Sequence, residues 1–424
     1  MKLFQQMLVA GASLSLLAPV AAQASDVVNL EEINSYSRSK AKSSRLDSKT
    51  FINEVSENIA KLKSRVDGLE VKQIEFEAGG FSDTTTLDGK AVFALMATDH
   101  SKVKADGTDS LAAAYQYTMN LNSSFTGDDN LYVRLRAGNG SGNFTTKTFG
   151  TYLSMGTGYA DALKVDKIWY TFPVGESNTV WVGPKIENYY MHGTTPSIYK
   201  PVTKQFTLGG NGDAYGASTD SGFGWAYKAD NGFAVSSNVV SKQNATSNGF
   251  LTNQAKTSWA TQAGYTTDQW SVSAIVNQKY NGWTDGYYES LGHTPSTGVG
   301  NFTAMGLRGW WRPTETGTAM PSISLGYDTT DHDGAPAASN NSTAWFAGLS
   351  WQDMFQADDR IGLAFGQPTT NEDETVDPFA YEAYYEFKAN DSVTITPTIF
   401  GGSDRNGTTG DDLFGAVLQT TFKF

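Results

Sequence analysis

The 424-residue chain has no cysteine, only four histidines and, beyond its first two dozen residues, no long apolar run. Without cysteine the fold is expected to hold together with no disulfide, although an exported bacterial protein has the redox setting to use them. Without a second apolar run no later segment crosses a membrane as a helix, so any further membrane contact falls to strands. Positive charge is also scarce. The 31 Lys and Arg stand against 44 Asp and Glu, a formal net charge of −13. That balance argues against a nucleic-acid partner, whose phosphates need a basic surface. Catalytic signatures are missing as well: there is no HExxH, no GxSxG elbow and no P-loop. His100, His192, His293 and His332 fall in expected loops, where a lone histidine is usually solvated. No catalytic residue, metal or cofactor is read from this pattern, and the chain does not read as an enzyme.

What is present points to strands. Gly 43, Tyr 20, Trp 10 and Phe 23 supply turn formers and interfacial aromatics. A mean hydropathy of −0.37 suits a barrel, in which only alternate strand residues meet lipid. The last segment carries the code openly. Phe414, Ala416, Leu418, Thr420, Phe422 and Phe424 share one face, while Leu413, Gly415, Val417, Gln419, Thr421 and Lys423 share the other. A strand at a terminus is expected where the last strand closes a ring against the first.

Three segments precede the strands. Residues 1–24 read as a secretory signal, with Lys2, a mostly apolar Met7–Ala22 and the Ala22-Gln23-Ala24 cleavage pattern. The alternative is an uncleaved membrane anchor. Residues 25–50 are polar and Ser-rich, a flexible lead-in. Within residues 51–78, Ile52, Val55, Ile59, Leu62, Val66, Leu69, Gln73 and Phe76 recur three and four apart. This seam predicts a periplasmic coiled-coil helix that self-associates and registers subunits through Val55, Ile59, Leu62, Val66, Leu69 and Phe76. The alternative is an amphipathic helix lying on its own barrel.

After Gly79 and Gly80 the pattern becomes β-like. Alternating segments from Thr84–Met96 to Asp412–Phe424 predict sixteen antiparallel strands, a transmembrane β-barrel over 81–424. The connections sort into short turns, such as Ala229–Asn231, and long loops, of which Glu187–Ser221 is the longest. Short turns belong to the periplasmic end and long loops to the outside. Phe125, Phe172, Trp181, Tyr227, Phe233, Tyr265, Trp270, Trp310, Trp311, Trp351, Phe387 and Phe424 flank short turns or the carboxyl end, as an interfacial ring would.

Sixteen strands leave an aqueous channel. Alternation sets Arg134, Arg136, Lys167, Lys185, Arg308 and Arg360 opposite apolar faces. Charge on the lipid face costs roughly 2–4 kcal/mol near the midplane, so these six are expected to face the lumen as a basic wall. There they attract anions, orient sugar hydroxyls or pair with lumen carboxylates such as Glu382 and Glu386. The loop Glu187–Ser221, with Glu187, Lys200, Lys204, Asp213 and Asp220, is expected to fold inward and constrict the channel; the alternatives are an external flap or a contact to a neighbouring subunit. Acidic groups around Asp328, Asp331 and Asp333, around Glu372, Asp373, Glu374 and Asp377, and around Asp404, Asp411 and Asp412 suggest loops that hold Ca²⁺ or bridge it to lipopolysaccharide. None matches the EF-hand spacing, which favours a solvated surface.

The stretch Leu62–Glu70, followed by Glu77–Leu87, resembles the helix-to-barrel junction of cyanobacterial outer-membrane porins of the OprB-like, carbohydrate-selective family. Met1–Val9, Thr179–Ile186 and the aromatic end resemble that group too. The resemblance implies a trimeric sixteen-stranded porin of the outer membrane, passing ions and small hydrophilic nutrients, sugars by the family's name. Such porins carry an S-layer-homology domain before the coiled coil; Ser25–Thr50 is too short for one, so a grip on the cell wall is not carried over. Two other readings remain at this point: an outer-membrane barrel hydrolase, and a plugged barrel acting as tether or receptor.

Overall fold

In a computed structural model of the chain, the residues described are 59, 61–63, 66, 80–82, 84–99, 111–145, 152–210, 213–215, 219–242, 249–283, 301–331, 341–372 and 374–424. The chain divides into two compact units, Met1–Gly80 and Phe81–Phe424. Of the first, Ile59, Lys61, Leu62, Lys63 and Val66 are helical, and the apolar Ile59 and Leu62 are 59% and 58% exposed. The signal segment, the lead-in, and Val55, Leu69 and Phe76 of the seam lie outside the described residues.

Gly80–Ser82 forms a three-residue strand, and the second unit is a closed barrel of sixteen further antiparallel strands. They are β1 (Thr85–Thr98), β2 (Ala112–Ser123), β3 (Asn130–Gly138), β4 (Lys164–Val174), β5 (Asn178–Ile186), β6 (Asp220–Lys228), β7 (Phe233–Ser241) and β8 (Thr257–Thr266), followed by β9 (Trp270–Tyr280), β10 (Phe302–Trp311), β11 (Ser322–Asp331), β12 (Ser342–Gln352), β13 (Arg360–Asn371), β14 (Phe379–Lys388), β15 (Val393–Ser403) and β16 (Leu413–Lys423). Each pairs with its sequence neighbours. The ring closes where β16 meets β1, from Gly415 opposite Thr98 to Lys423 opposite Lys90. Closure leaves no unpaired edge, the only way a sheet can sit in hydrocarbon.

The polarity is that of a soluble protein turned inside out. In β9, Trp270, Val272 and Val276 are exposed, whereas Ser271, Ser273, Asn277 and Lys279 are buried. Around the ring Phe93, Val182, Trp225, Leu307, Leu325 and Trp345 point outward, while Gln116, Ser236, Gln262, Arg308 and Glu382 are buried inward. In water each large outward side chain would forgo about 1.5–3 kcal/mol of burial, which lipid restores. Long and short connections alternate clearly over the first ten strands and less so afterwards: 353–359 at one end matches 372–378 at the other.

Most of the expected aromatic ring points outward, but two members do not. Trp181 packs inside with Trp169, Ile186 and Met191. Trp310 is buried and donates its Nε1–H to the Thr195 carbonyl at 3.0 Å. Both tryptophans sit at inward positions of the alternation, so their place near a short turn does not by itself make them lipid contacts.

Two short turns share one design. Asp129 accepts the backbone N–H groups of Phe125 (2.9 Å) and Thr126 (2.7 Å) and the Tyr170 hydroxyl at 2.6 Å. Asp359 accepts those of Met354 (2.8 Å) and Phe355 (3.0 Å) and the Tyr385 hydroxyl at 3.0 Å. In each case the tyrosine lies opposite the residue two beyond the aspartate, Leu131 or Ile361. The carboxylate thus closes the turn and ties it to the next strand.

Candidate functional site

The lumen is shaped by two connections that fold inward. The segment between β5 and β6 crosses the inner wall and bonds to strand after strand. Gly193 N–H donates to Ser236 at 3.0 Å, Thr194 N–H to Gln262 at 3.0 Å, and Ile198 N–H to Ser324 at 3.1 Å. Further on, Glu382 accepts from Tyr199 and from Thr203. Farther along, Lys279 Nζ donates to the Asp213 carbonyl at 2.6 Å and Asn277 to the Ala214 carbonyl at 3.0 Å. The partners lie on β7, β8, β9, β11 and β14, so the segment runs along the inside of half the ring. Small residues allow the close approach: a Cβ on Gly326 would collide with the Gly209 carbonyl.

The connection between β3 and β4 also turns in, which the spacing of the sequence did not reveal. Its Ser154 N–H donates to the Val202 carbonyl at 2.8 Å, and Lys204 N–H donates to the Tyr152 carbonyl at 2.9 Å. Phe144, Leu153 and Met155 join Tyr199, Val202 and Phe206 in a cluster against Val92, Met96, Phe346, Tyr384 and Phe400 of the wall. An apolar core therefore exists inside the barrel, over one sector.

The six basic residues expected in the wall separate into three groups. Arg134, Arg136 and Arg360 face the lumen. Arg134 pairs with Asp166, Arg136 lies 3.6 Å from the same carboxylate, and Arg360 lies 3.4 Å from Glu386. Asp166 is the extra residue of a bulge, since Arg134 opposes Lys167 and Leu135 opposes Val165; the bulge aims it inward.

Lys167 and Arg308 are inside but buried. Lys167 pairs with Glu187 and sits 4.4 Å from the Tyr190 ring centre. Arg308 lies 2.7 Å from Asp328, donates to the Leu208 carbonyl at 2.9 Å and covers the Tyr215 ring at 4.6 Å. It holds the infolded segment rather than presenting charge to water.

Lys185 does not face the lumen. Tyr170 opposes Val182, but Ile168 opposes Lys185, so β5 carries an extra residue and Lys185 shares the outward face of Ile168. Its Nζ donates to the Val165 carbonyl at 3.1 Å. The bulge around Gly183 and Pro184 defeats simple alternation here.

The expected constriction residues are likewise split. Glu187 meets Lys167 and the Tyr189 hydroxyl. Lys200 is exposed, within electrostatic reach of Arg360, Glu386 and Lys423. Lys204 lies 5.5 Å from the Tyr152 ring centre. Asp213 is buried and accepts the Thr330 hydroxyl at 3.1 Å. Asp220 opens β6, opposite Ile186.

Among the acidic groups, Asp328 is a buried inward residue bound to Arg308, not a surface-loop ligand. Arg405 and Asp411 form an ion pair at 3.4 Å. Among the described residues no group of three or more His, Cys, Asp or Glu could hold a metal ion. His192 is buried rather than solvated, between Asn238 at 3.4 Å and the Tyr215 ring. The other three histidines lie outside the described residues.

Comparison with known proteins agrees with this architecture. The family model "Carbohydrate-selective porin, OprB family" matches residues 46–424. An uncharacterised protein of Nostoc sp. is 24% identical, the match covering 88% of this chain and 71% of that one. A second, from Synechocystis sp., is also 24% identical over 80% of this chain and 68% of its own length. Among solved structures, OprB of Pseudomonas putida matches with a TM-score of 0.58 at 13% identity, over 80% of this chain and 94% of that one. A porin variant of Rh. blastica matches with a TM-score of 0.50 at 10% identity, over 80% and 100%. With the whole barrel inside the family match, the chain belongs to the OprB family of carbohydrate-selective porins, channel-forming barrels of the outer membrane.

Proposed function

We propose that the chain is a diffusion porin whose water-filled lumen passes ions and small hydrophilic solutes, sugars among them. The observation that carries this reading is the inward face of β16, β1, β3 and β13. Lys423, Lys90, Arg134, Arg136 and Arg360 line it beside the apolar cluster, whose Leu413, Val417, Val92, Met96 and Ala364 take other inward positions of β16, β1 and β13. A polar wall beside a packed loop leaves a narrowed aqueous passage. Near Arg134, Tyr132 and Tyr190 pack at a tilt on either side of the buried Trp169, with ring centres 4.3 Å and 4.7 Å apart.

On this reading the short turns face the periplasm, and the seam of Ile59, Leu62 and Val66 is covered by two further copies in a periplasmic coiled coil. Outer-membrane lipid and lipopolysaccharide surround the barrel. The basic wall, with Glu187 and Lys200 of the infolded segment, sets what passes. Proteoliposome swelling in isotonic solutions of sugars of increasing size tests the proposal. Swelling with the smallest sugars that fades with size is the expected result; none at any size with protein inserted contradicts it. A plugged barrel is the second reading, favoured by the cluster of Phe144, Leu153, Tyr199 and Phe206 inside the ring, and the same assay separates the two.

A further inference from the structure

The whole chain is acidic, yet the water-facing part of its inner wall is basic. Lys423 of β16 lies directly opposite Lys90 of β1. The same register row continues through Thr118 of β2 to Arg136 of β3 and Lys164 of β4. Directly opposed like charges destabilise a sheet, so folding alone gives no reason for the two lysines to face each other. Both are exposed, and neither forms an ion pair among the described residues. Lys90 is within electrostatic reach of Arg136, Lys423 and Arg134, and Lys200 of the infolded segment is within reach of Arg360 and Lys423; the one carboxylate within reach of both is Glu386.

Three carboxylates face the same space. Asp88 accepts from Asn120 at 2.6 Å, Asp166 is engaged by Arg134, and Glu386 stands beside Arg360. Seven cations (Lys90, Arg134, Arg136, Lys164, Lys200, Arg360 and Lys423) thus outnumber three carboxylates. Other inward charges are engaged: Lys167 pairs with Glu187 and Arg308 with Asp328, and the buried Lys279 and Glu382 are hydrogen-bonded to the infolded segment. A channel senses the charge on its own wall, where a low-dielectric surround focuses the field, rather than the total of −13.

We infer that this row makes the channel selective for small hydrated anions, with the Lys90–Lys423 pair as its least neutralised element. The inference rests on the porin reading and names its preferred ion. Arginines held by carboxylates supply a fixed background. The two free lysines supply compact charges on flexible stems, suited to transient contact with a passing anion.

The test is the reversal potential of the full chain in a planar bilayer with unequal KCl on the two sides. The expected sign is that of chloride preference, and the double variant Lys90→Glu with Lys423→Glu moves the potential through zero toward potassium. Lys185→Glu, on the outward face, leaves it unmoved. Current steps with a potassium-side potential in the wild type overturn the inference alone. So does a double variant whose potential equals the wild type's. Absence of steps overturns the porin reading and the inference with it. If the double variant fails to insert, Lys90→Gln and Lys423→Gln taken singly lower the chloride preference, and an unchanged value in both counts against the pair.

Discussion

Thr203 reaches Glu382 twice, through its backbone N–H at 2.8 Å and its hydroxyl at 2.6 Å, both on Oε2. The other carboxylate oxygen accepts the Tyr199 hydroxyl at 2.8 Å and the Val202 N–H at 3.2 Å. One buried side chain on β14 therefore fastens a segment that starts nine strands earlier. Each donor left unpartnered in such a site costs about 1–3 kcal/mol. Glu382→Ala is expected to release this stretch from the wall. Single-channel recording should then show larger or noisier current; conductance and noise equal to the wild type would mean the tether does not hold the loop.

The Asp129 and Asp359 turns give a pH prediction. Tyr170's hydroxyl is the strongest influence on Asp129 and, with the Thr126 N–H, holds its carboxyl well below the usual range against the opposing effect of burial. Burial pushes Asp359 upward, but the Phe355 and Met354 N–H groups and the Tyr385 hydroxyl outweigh it, and the net shift is downward. A lowered folded value means stability complete above the unfolded carboxylate pKa of about 3.9 and lost as pH falls through the folded value. Thermal unfolding in detergent should weaken progressively below about pH 4. Replacing both residues by Asn should lower stability at neutral pH and flatten that acid dependence. A double variant with the wild type's acid profile would exclude these carboxylates as its source.

Arg308 and Asp328 form a buried pair beneath Leu208 and Tyr215. Breaking a buried pair from one side costs about 3–5 kcal/mol, because the remaining charge has no compensation. Asp328→Ala should therefore lower the unfolding temperature far more than Arg308→Met combined with Asp328→Leu. Equal losses would show that the charge is not what matters there.

The exposed seam predicts assembly. Leu62→Asp with Leu69→Asp places two carboxylates in the apolar stripe and should reduce the native mass in detergent from trimer toward monomer. A mass that does not change would leave the seam with another role.

How much of this was legible depended on whether a local rule survived the fold. Period-two alternation found all sixteen strands, because a barrel wall between lipid and interior enforces it residue by residue. The same rule placed Arg134, Arg136 and Arg360 inside. It failed at Lys185, where the bulge at Gly183 and Pro184 shifts the count by one. It also could not separate a lumen charge that meets water from one a loop covers: Arg308 and Lys167 look like Arg134 in sequence. Lys90 was within reach, since it alternates with Asp88 against Ala91 and Phe93. The inward fold of the β3–β4 connection was not, because its contacts with Val202 and Phe400 are long-range and leave no period.

The central claim is that water still passes beside the two infolded segments. Planar-bilayer recording of the purified chain at symmetric KCl tests it most directly. The account predicts discrete upward steps of uniform size as single barrels insert. A protein that inserts as a folded barrel, judged by its heat-sensitive gel mobility, and yet carries no current would contradict it.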